Sequence, residues 1–188
     1  NGKEDAMARH IALGVTGSIA AYKACELVRL FTKAGHGVSV VMTEAAARFV
    51  SPLTFRTLSR NPVCTGLFDE IGEWVPDHIA LADRCDALVV APCTANVLAK
   101  LALGLADDAL TATALACRKP LVVAPAMNTA MWEHPATQAN LATLKARGAT
   151  IVEPGDGGLA CGTTGRGRMP EPGEIFTATC AVLDGRRN

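Results

Sequence analysis

Three short segments of the chain bring hydroxyl, amide and glycine residues together where a ligand can be held. Thr16-Gly17-Ser18 stands between an apolar run and a helical stretch, where unpaired backbone N–H groups and the helix dipole favour an anion. The stretch from Gly14 to Ala24 lacks the three-glycine spacing of dinucleotide sites, so a mononucleotide phosphate, as in FMN, fits it better. A simple helix cap by Ser18 is the plainer alternative. In Ala91–Asn96 (APCTAN), Thr94 and Asn96 offer a hydroxyl and an amide to a ribityl chain or a ring edge, although Thr94 is also a good helix cap. Asn128, in Ala124–Trp132 (APAMNTAMW), can give two N–H donors to a carboxylate without bringing a charge, or can cap the next helix. Asp107-Asp108 reads as a cap or a flavin-side contact rather than a metal site, because adjacent helical carboxylates diverge. His78 is a lone histidine after Pro76-Asp77, and Cys161 is a thiol in a glycine-rich run.

These residues need a scaffold, and the apolar pattern supplies one. His10–Val15, Val38–Met42, Ala87–Val90, Leu121–Val123 and Thr150–Val152 read as strands. Helices are expected at about Ile19–Ala34, up to about Leu58 with a restart at Pro52, across Ala95–Ala116, at Pro135–Arg147 and at Glu171–Leu183. Strands that are apolar throughout, alternating with helices, imply a doubly wound, mostly parallel α/β sheet of Rossmann or flavodoxin type in a single domain. Ligands of such sheets bind beyond the carboxyl ends of the strands. The segment after each strand should therefore carry the chemistry: Thr16-Gly17-Ser18, Thr43, Ala91–Asn96 and Ala124–Asn128. Residues at about 155–170 carry no apolar period and are expected to form a mobile flap.

Composition narrows the partners. Of 188 residues 49% are hydrophobic and 4% aromatic, and 18 Lys and Arg balance 18 Asp and Glu, so neither nucleic acid nor an anionic membrane is favoured. The 7 cysteines contain no C-x-x-C and are expected to be mostly core residues rather than disulfides or metal ligands. No apolar run spans a bilayer and no leader is evident, so a cytoplasmic protein is expected. Residues 1–6 read as a vector-derived remnant, leaving 7–188 as the domain with Met7 as the natural start.

Gly17–Lys23 (GSIAAYK), His78–Ala82 (HIALA), Ala91–Asp108, Ala124–Trp132 and Ala160–Met169 (ACGTTGRGRM) occur in an order that resembles the homo-oligomeric flavin-containing cysteine decarboxylases, over roughly Arg9 to Leu183. The family's Pro-Ala-Ser-Ala-Asn-Thr motif stands here as Pro92-Cys93-Thr94-Ala95-Asn96-Val97, departing at Cys93 and Val97 while Thr94 keeps the hydroxyl. The resemblance implies FMN held by Gly17, Ser18, Ile19, Thr43, Thr94, Ala95, Asn96 and Ala126. It implies decarboxylation of 4'-phosphopantothenoylcysteine to 4'-phosphopantetheine in coenzyme A biosynthesis, by thiol oxidation, loss of CO2 and re-reduction of the enethiol. The roles it implies are His78 as base, Asn128 as carboxylate ligand and Cys161 as proton donor. Met131, Ala160 and Gly162 join Asn128 against substrate, under the flap as a clamp, and Arg166 and Arg168 are candidates for the substrate phosphate. A trimer, or a dodecamer of trimers, is the implied assembly. A peptidyl-cysteine decarboxylase that releases an enethiol, and a non-enzymatic regulatory flavoprotein of the same fold, are the alternatives; the Cys161 segment favours the coenzyme A precursor.

Overall fold

In the computed structural model of the chain, residues 8–67, 77–158, 162 and 164–185 are described, with backbone alone at Asp77 and His78. The chain begins β1 (His10–Val15), α1 (Ala21–Lys33), β2 (Gly37–Met42), α2 (Glu44–Ala47), α3 (Pro52–Ser59) and the two-residue β3 (Val63–Cys64). It continues through α4 (Asp77–Arg84), β4 (Ala87–Cys93), α5 (Ala95–Leu103), α6 (Ala109–Ala116) and β5 (Leu121–Pro125). Then come α7 (Thr129–Glu133), α8 (Pro135–Ala146), β6 (Thr150–Ile151), β7 (Gly155–Gly158), β8 (Thr164–Arg168) and α9 (Pro172–Leu183).

Strands β1 to β6 form one parallel sheet in the order β3-β2-β1-β4-β5-β6, which is the Rossmann rather than the flavodoxin order. Strand order reverses between β1 and β4, so the crevice expected to hold a ligand lies there. Alternation along β1 explains the two cores. Ile11, Leu13 and Val15 face a layer with Leu27 and Phe31 of α1, Phe55 of α3 and Ile175 of α9. Ala12 shares the opposite layer with Leu88, Leu98 of α5, Leu110 of α6 and Leu141 of α8. Each fully buried Leu, Ile or Phe contributes about 1.5–3 kcal/mol, which is why both faces of the sheet must be covered.

The expected single helix over Ala95–Ala116 is two helices, a correction with a local cause. Gly104 takes the left-handed conformation (φ 72°) and closes α5, and Asp108 then opens α6 through a capping box with Thr111. Helix propensity is high on both sides but does not register the turn between them. The short elements β3, α4 and α7 were not anticipated either. Residues 155–158 and 164–168 pair as an antiparallel hairpin, β7–β8, and Met169 just beyond it is buried in the main core. Among the described residues, no helix is long and apolar enough to cross a membrane.

Candidate functional site

The turn after β1 is built by close approach and by one buried hydroxyl. A Cβ on Gly17 would collide with the side chain and backbone of Ala45 in α2, so only glycine lets the two loops touch. Thr16, with 0% exposure, donates its hydroxyl to the Pro92 carbonyl at 2.7 Å and accepts the Thr94 N–H at 3.0 Å. The starts of α1, α2 and α5 therefore converge on Gly17 and Ser18. Thr43 caps α2 by accepting the Ala46 N–H at 3.2 Å, and Thr94 caps α5 by accepting the Val97 N–H at 3.3 Å. Ser18 does not cap α1, whose N-cap is Ala20; its Oγ accepts the Ala20 N–H at 3.2 Å. Within the described residues, the Gly17 and Ile19 amides make no hydrogen bond. Open amides beside three helix starts suit the phosphate of a mononucleotide cofactor.

A cavity of about 450 Å³ opens from this turn toward β5 and the hairpin. Ser18, Ile19, Ala126 and Asn128 line it, together with Lys23 and Arg168. Asn128 is the N-cap of α7, and its Oδ1 accepts the Ala130 N–H at 2.9 Å, which fixes the amide plane. The hairpin is pinned to the same loop where the Met127 N–H donates to the Gly167 carbonyl at 2.9 Å. Thr129, next to Asn128, has a buried hydroxyl with no partner among the described residues.

Not every expected site residue borders this cavity. Gly17, Thr43, Thr94, Ala95, Asn96 and Met131 are not among its lining residues, although Gly17 directly precedes the lining Ser18; Met131 is exposed. Gly162 is exposed on the hairpin side. Ala160, Cys161 and the side chain of His78 lie outside the described residues; the His78 backbone sits in the first turn of α4. Arg168 borders the cavity, but Arg166 pairs instead with Glu153 at 3.1 Å and lies 5.8 Å over the Trp132 ring. Asp107 and Asp108 are held by Lys100 at 2.7 and 3.4 Å, so this pair is a capped ion-pair cluster away from the cavity. Among the described residues, no group of three His, Cys, Asp or Glu could hold a metal.

One polar residue was missed. Lys23, five residues past Ser18 in GSIAAYK, is nearly buried and donates to Glu171 Oε1 at 2.9 Å; Arg168 donates to the same oxygen at 2.9 Å. The Lys23 hydrogen bond holds the Glu171 carboxyl below its ordinary range, and the charges of Lys23 and Arg168 act the same way. Two cations on one carboxylate leave a net positive charge at the cavity wall. The only sequence signal was a lysine at a helical position spaced with the buried Ala24 and Leu27, and Glu171 is 148 residues away.

The family model named Flavoprotein matches residues 1–184. The chain belongs to the flavoprotein family. A coenzyme A biosynthesis bifunctional protein CoaBC of Mycolicibacterium smegmatis is 50% identical over 176 residues, which is 94% of this chain and 42% of the relative. The chain thus spans less than half the length of that relative. Among solved structures, a mutant PPC decarboxylase complexed with pantothenoylaminoethenethiol matches this flavoprotein with a TM-score of 0.83 and 34% identity, covering 94% of this chain and 99% of the other. An FMN-dependent cysteine decarboxylase, SpaF, matches with a TM-score of 0.81 and 34% identity, covering 96% and 98%.

Proposed function

We propose that this flavoprotein is an FMN-dependent decarboxylase of 4'-phosphopantothenoylcysteine, acting in the cytoplasm in coenzyme A biosynthesis. A PPC decarboxylase and an FMN-dependent cysteine decarboxylase match at the same 34% identity, so likeness of fold does not choose between them. The observation that carries the reading is the 50% identity along 94% of the chain to a coenzyme A biosynthesis protein. When bound, FMN supplies the redox capacity to oxidise the cysteine thiol and later return the reducing equivalents. The Gly17 and Ile19 amides, with Ser18, would take its phosphate, and Thr43, Thr94, Ala95, Asn96 and Ala126 would hold the rest.

Asn128 donates Nδ2–H to the substrate carboxylate, which orients the bond that breaks without putting a like charge beside it. His78 accepts the thiol proton, and Cys161 donates a proton to the enethiol carbon. Lys23 and Arg168, which share Glu171, attract the anionic substrate. Met131, Ala160 and Gly162 contact it under a flap spanning about 155–170, which excludes water. The exposed apolar side chains Ile19 and Tyr22 at the head of α1, with Phe49 and Leu53 around the start of α3, support a trimer or a larger trimer-based assembly.

The test is to load purified protein with FMN, add phosphopantothenoylcysteine and read product masses. The expected product is phosphopantetheine, and Cys161→Ser is expected to release one two hydrogens lighter. Wild-type release of that lighter product would favour the peptidyl-type half-reaction, and an untouched substrate would overturn the assignment.

A further inference from the structure

The opposite end of the sheet holds a second pair of reactive groups. Cys85 follows α4 and precedes β4; Cys117 follows α6 and precedes β5. Their Sγ atoms lie 3.7 Å apart, although 32 residues separate them in sequence. Cys85 is buried at 1% exposure, whereas Cys117 is partly exposed and lines a separate cavity of about 410 Å³. Lys100, Arg118, Lys119 and Arg147 line the same cavity. Lys100 is matched by Asp107 and Asp108, while Arg118 and Lys119 are exposed at its rim.

We infer that Cys85 and Cys117 form a thiol–disulfide exchange site that takes a small anionic disulfide of the glutathione class. The division of labour follows from burial: Cys117 meets the reagent and Cys85 resolves it. Either sulfur can donate in this contact; with Cys85 as the donor it stabilises the Cys117 thiolate, and together with the Lys119 backbone N–H and ammonium it outweighs burial and Asp83, so Cys117 ionises more readily than an ordinary thiol. The same contact and burial hold the proton on Cys85. The Cys117 thiolate attacks one sulfur of the disulfide and expels one thiolate, leaving a mixed disulfide on Cys117. Once Cys117 is in the mixed disulfide its contact no longer holds the Cys85 proton, which passes to the first expelled thiolate; the Cys85 thiolate then attacks the Cys117 sulfur and expels the second thiolate, which takes a proton from solvent. One disulfide is consumed, two small thiols are released, and the protein gains one Cys85–Cys117 bond. The two sulfurs have to close from 3.7 Å to a bonding distance of about 2.0 Å. The exchange uses none of the residues of the proposed decarboxylase site, so either assignment can fail without the other.

The test exposes the FMN-loaded protein to oxidised glutathione, quenches with N-ethylmaleimide and maps tryptic peptides by mass. Trypsin separates residues 85–100 from 101–118, and fragmentation distinguishes Cys85 from the buried Cys93. The expected result is a cross-linked pair of these peptides carrying no glutathione. It should form at least ~10-fold faster than glutathionylation of Cys25 or Cys180, whose thiols burial pushes up. Cys85→Ala should instead trap one glutathionyl group on Cys117, and Cys117→Ala should leave Cys85 unmodified. Stable glutathionylation of Cys117 in the wild type, or reaction no faster than at Cys25, would overturn the proposal.

Discussion

The two ends of the parallel sheet treat their polar groups differently. At the amino end, the polar groups beside β1 and β2 are matched within the chain, while Arg118 and Lys119 stay exposed around the Cys85–Cys117 pair. The His10 N–H donates to Asp86 Oδ2 at 2.8 Å, the His10 ring pairs with the Ser39 hydroxyl at 2.9 Å, and Asn61 Nδ2 donates to the Val38 carbonyl at 2.8 Å. At the carboxyl end, helix starts converge, the amides of Gly17 and Ile19 stay open within the described residues, and a 450 Å³ cavity follows. Both ends share strands and cores, so the difference lies in the loops alone. Burial energy fixes the sheet, and the loops at its carboxyl end are left to meet a ligand.

The sharpest way to probe that difference is Asn128→Asp, which keeps shape and cap but sets a carboxylate against the substrate's own. Turnover should fall at least ~10³-fold with FMN retained, and a variant of near-normal rate would remove Asn128 from the proposed site. Gly17→Val attacks the convergence itself. The new side chain meets Ala45, so unfolding titrations should show a loss of about 3 kcal/mol and gel filtration should show poor FMN retention. If FMN stays bound, the turn is not its phosphate cradle. Thr16→Val removes both bonds of the buried hydroxyl and leaves the Pro92 carbonyl and the Thr94 N–H unmatched, for about 2 kcal/mol in denaturant.

The smallest effect concerns Glu171, whose folded pKa is depressed by Lys23 and Arg168. A depressed carboxyl stabilises the fold above its unfolded value and loses that contribution as pH falls through the folded value. Wild type should therefore lose about 0.5 kcal/mol relative to Glu171→Gln below pH 4.5, since the carboxylate is more than half exposed and solvent-screened. Parallel stability curves for the two proteins across that range would show no ion-pair contribution.

The strands and the segments after them were legible because their signals are local. Continuous apolar runs such as Leu88–Val90 can only be buried on both faces, and a small or hydroxyl residue follows each. The helix break at Gly104 and the hairpin were not legible. A turn inside an Ala/Leu run is outweighed by propensity, and a glycine-rich hairpin has no apolar alternation to announce it. Lys23 shows the limit from the other side: it ends the GSIAAYK segment, yet nothing near it in sequence announces that it lines the cavity and meets Glu171.

By itself, the sequence determined a doubly wound sheet and a glycine turn at its carboxyl end that suits a phosphate, because each depends on neighbours a few residues apart. Only the tertiary structure decided that Thr16 would join Thr94 across 78 residues, that Gly17 would rest on Ala45, and that Lys23 and Arg168 would share Glu171. It also brought Cys85 to Cys117. Those contacts are set by strand order and by which helix covers which face. Both are settled by the packing of the whole core and leave no mark in the local pattern of residues.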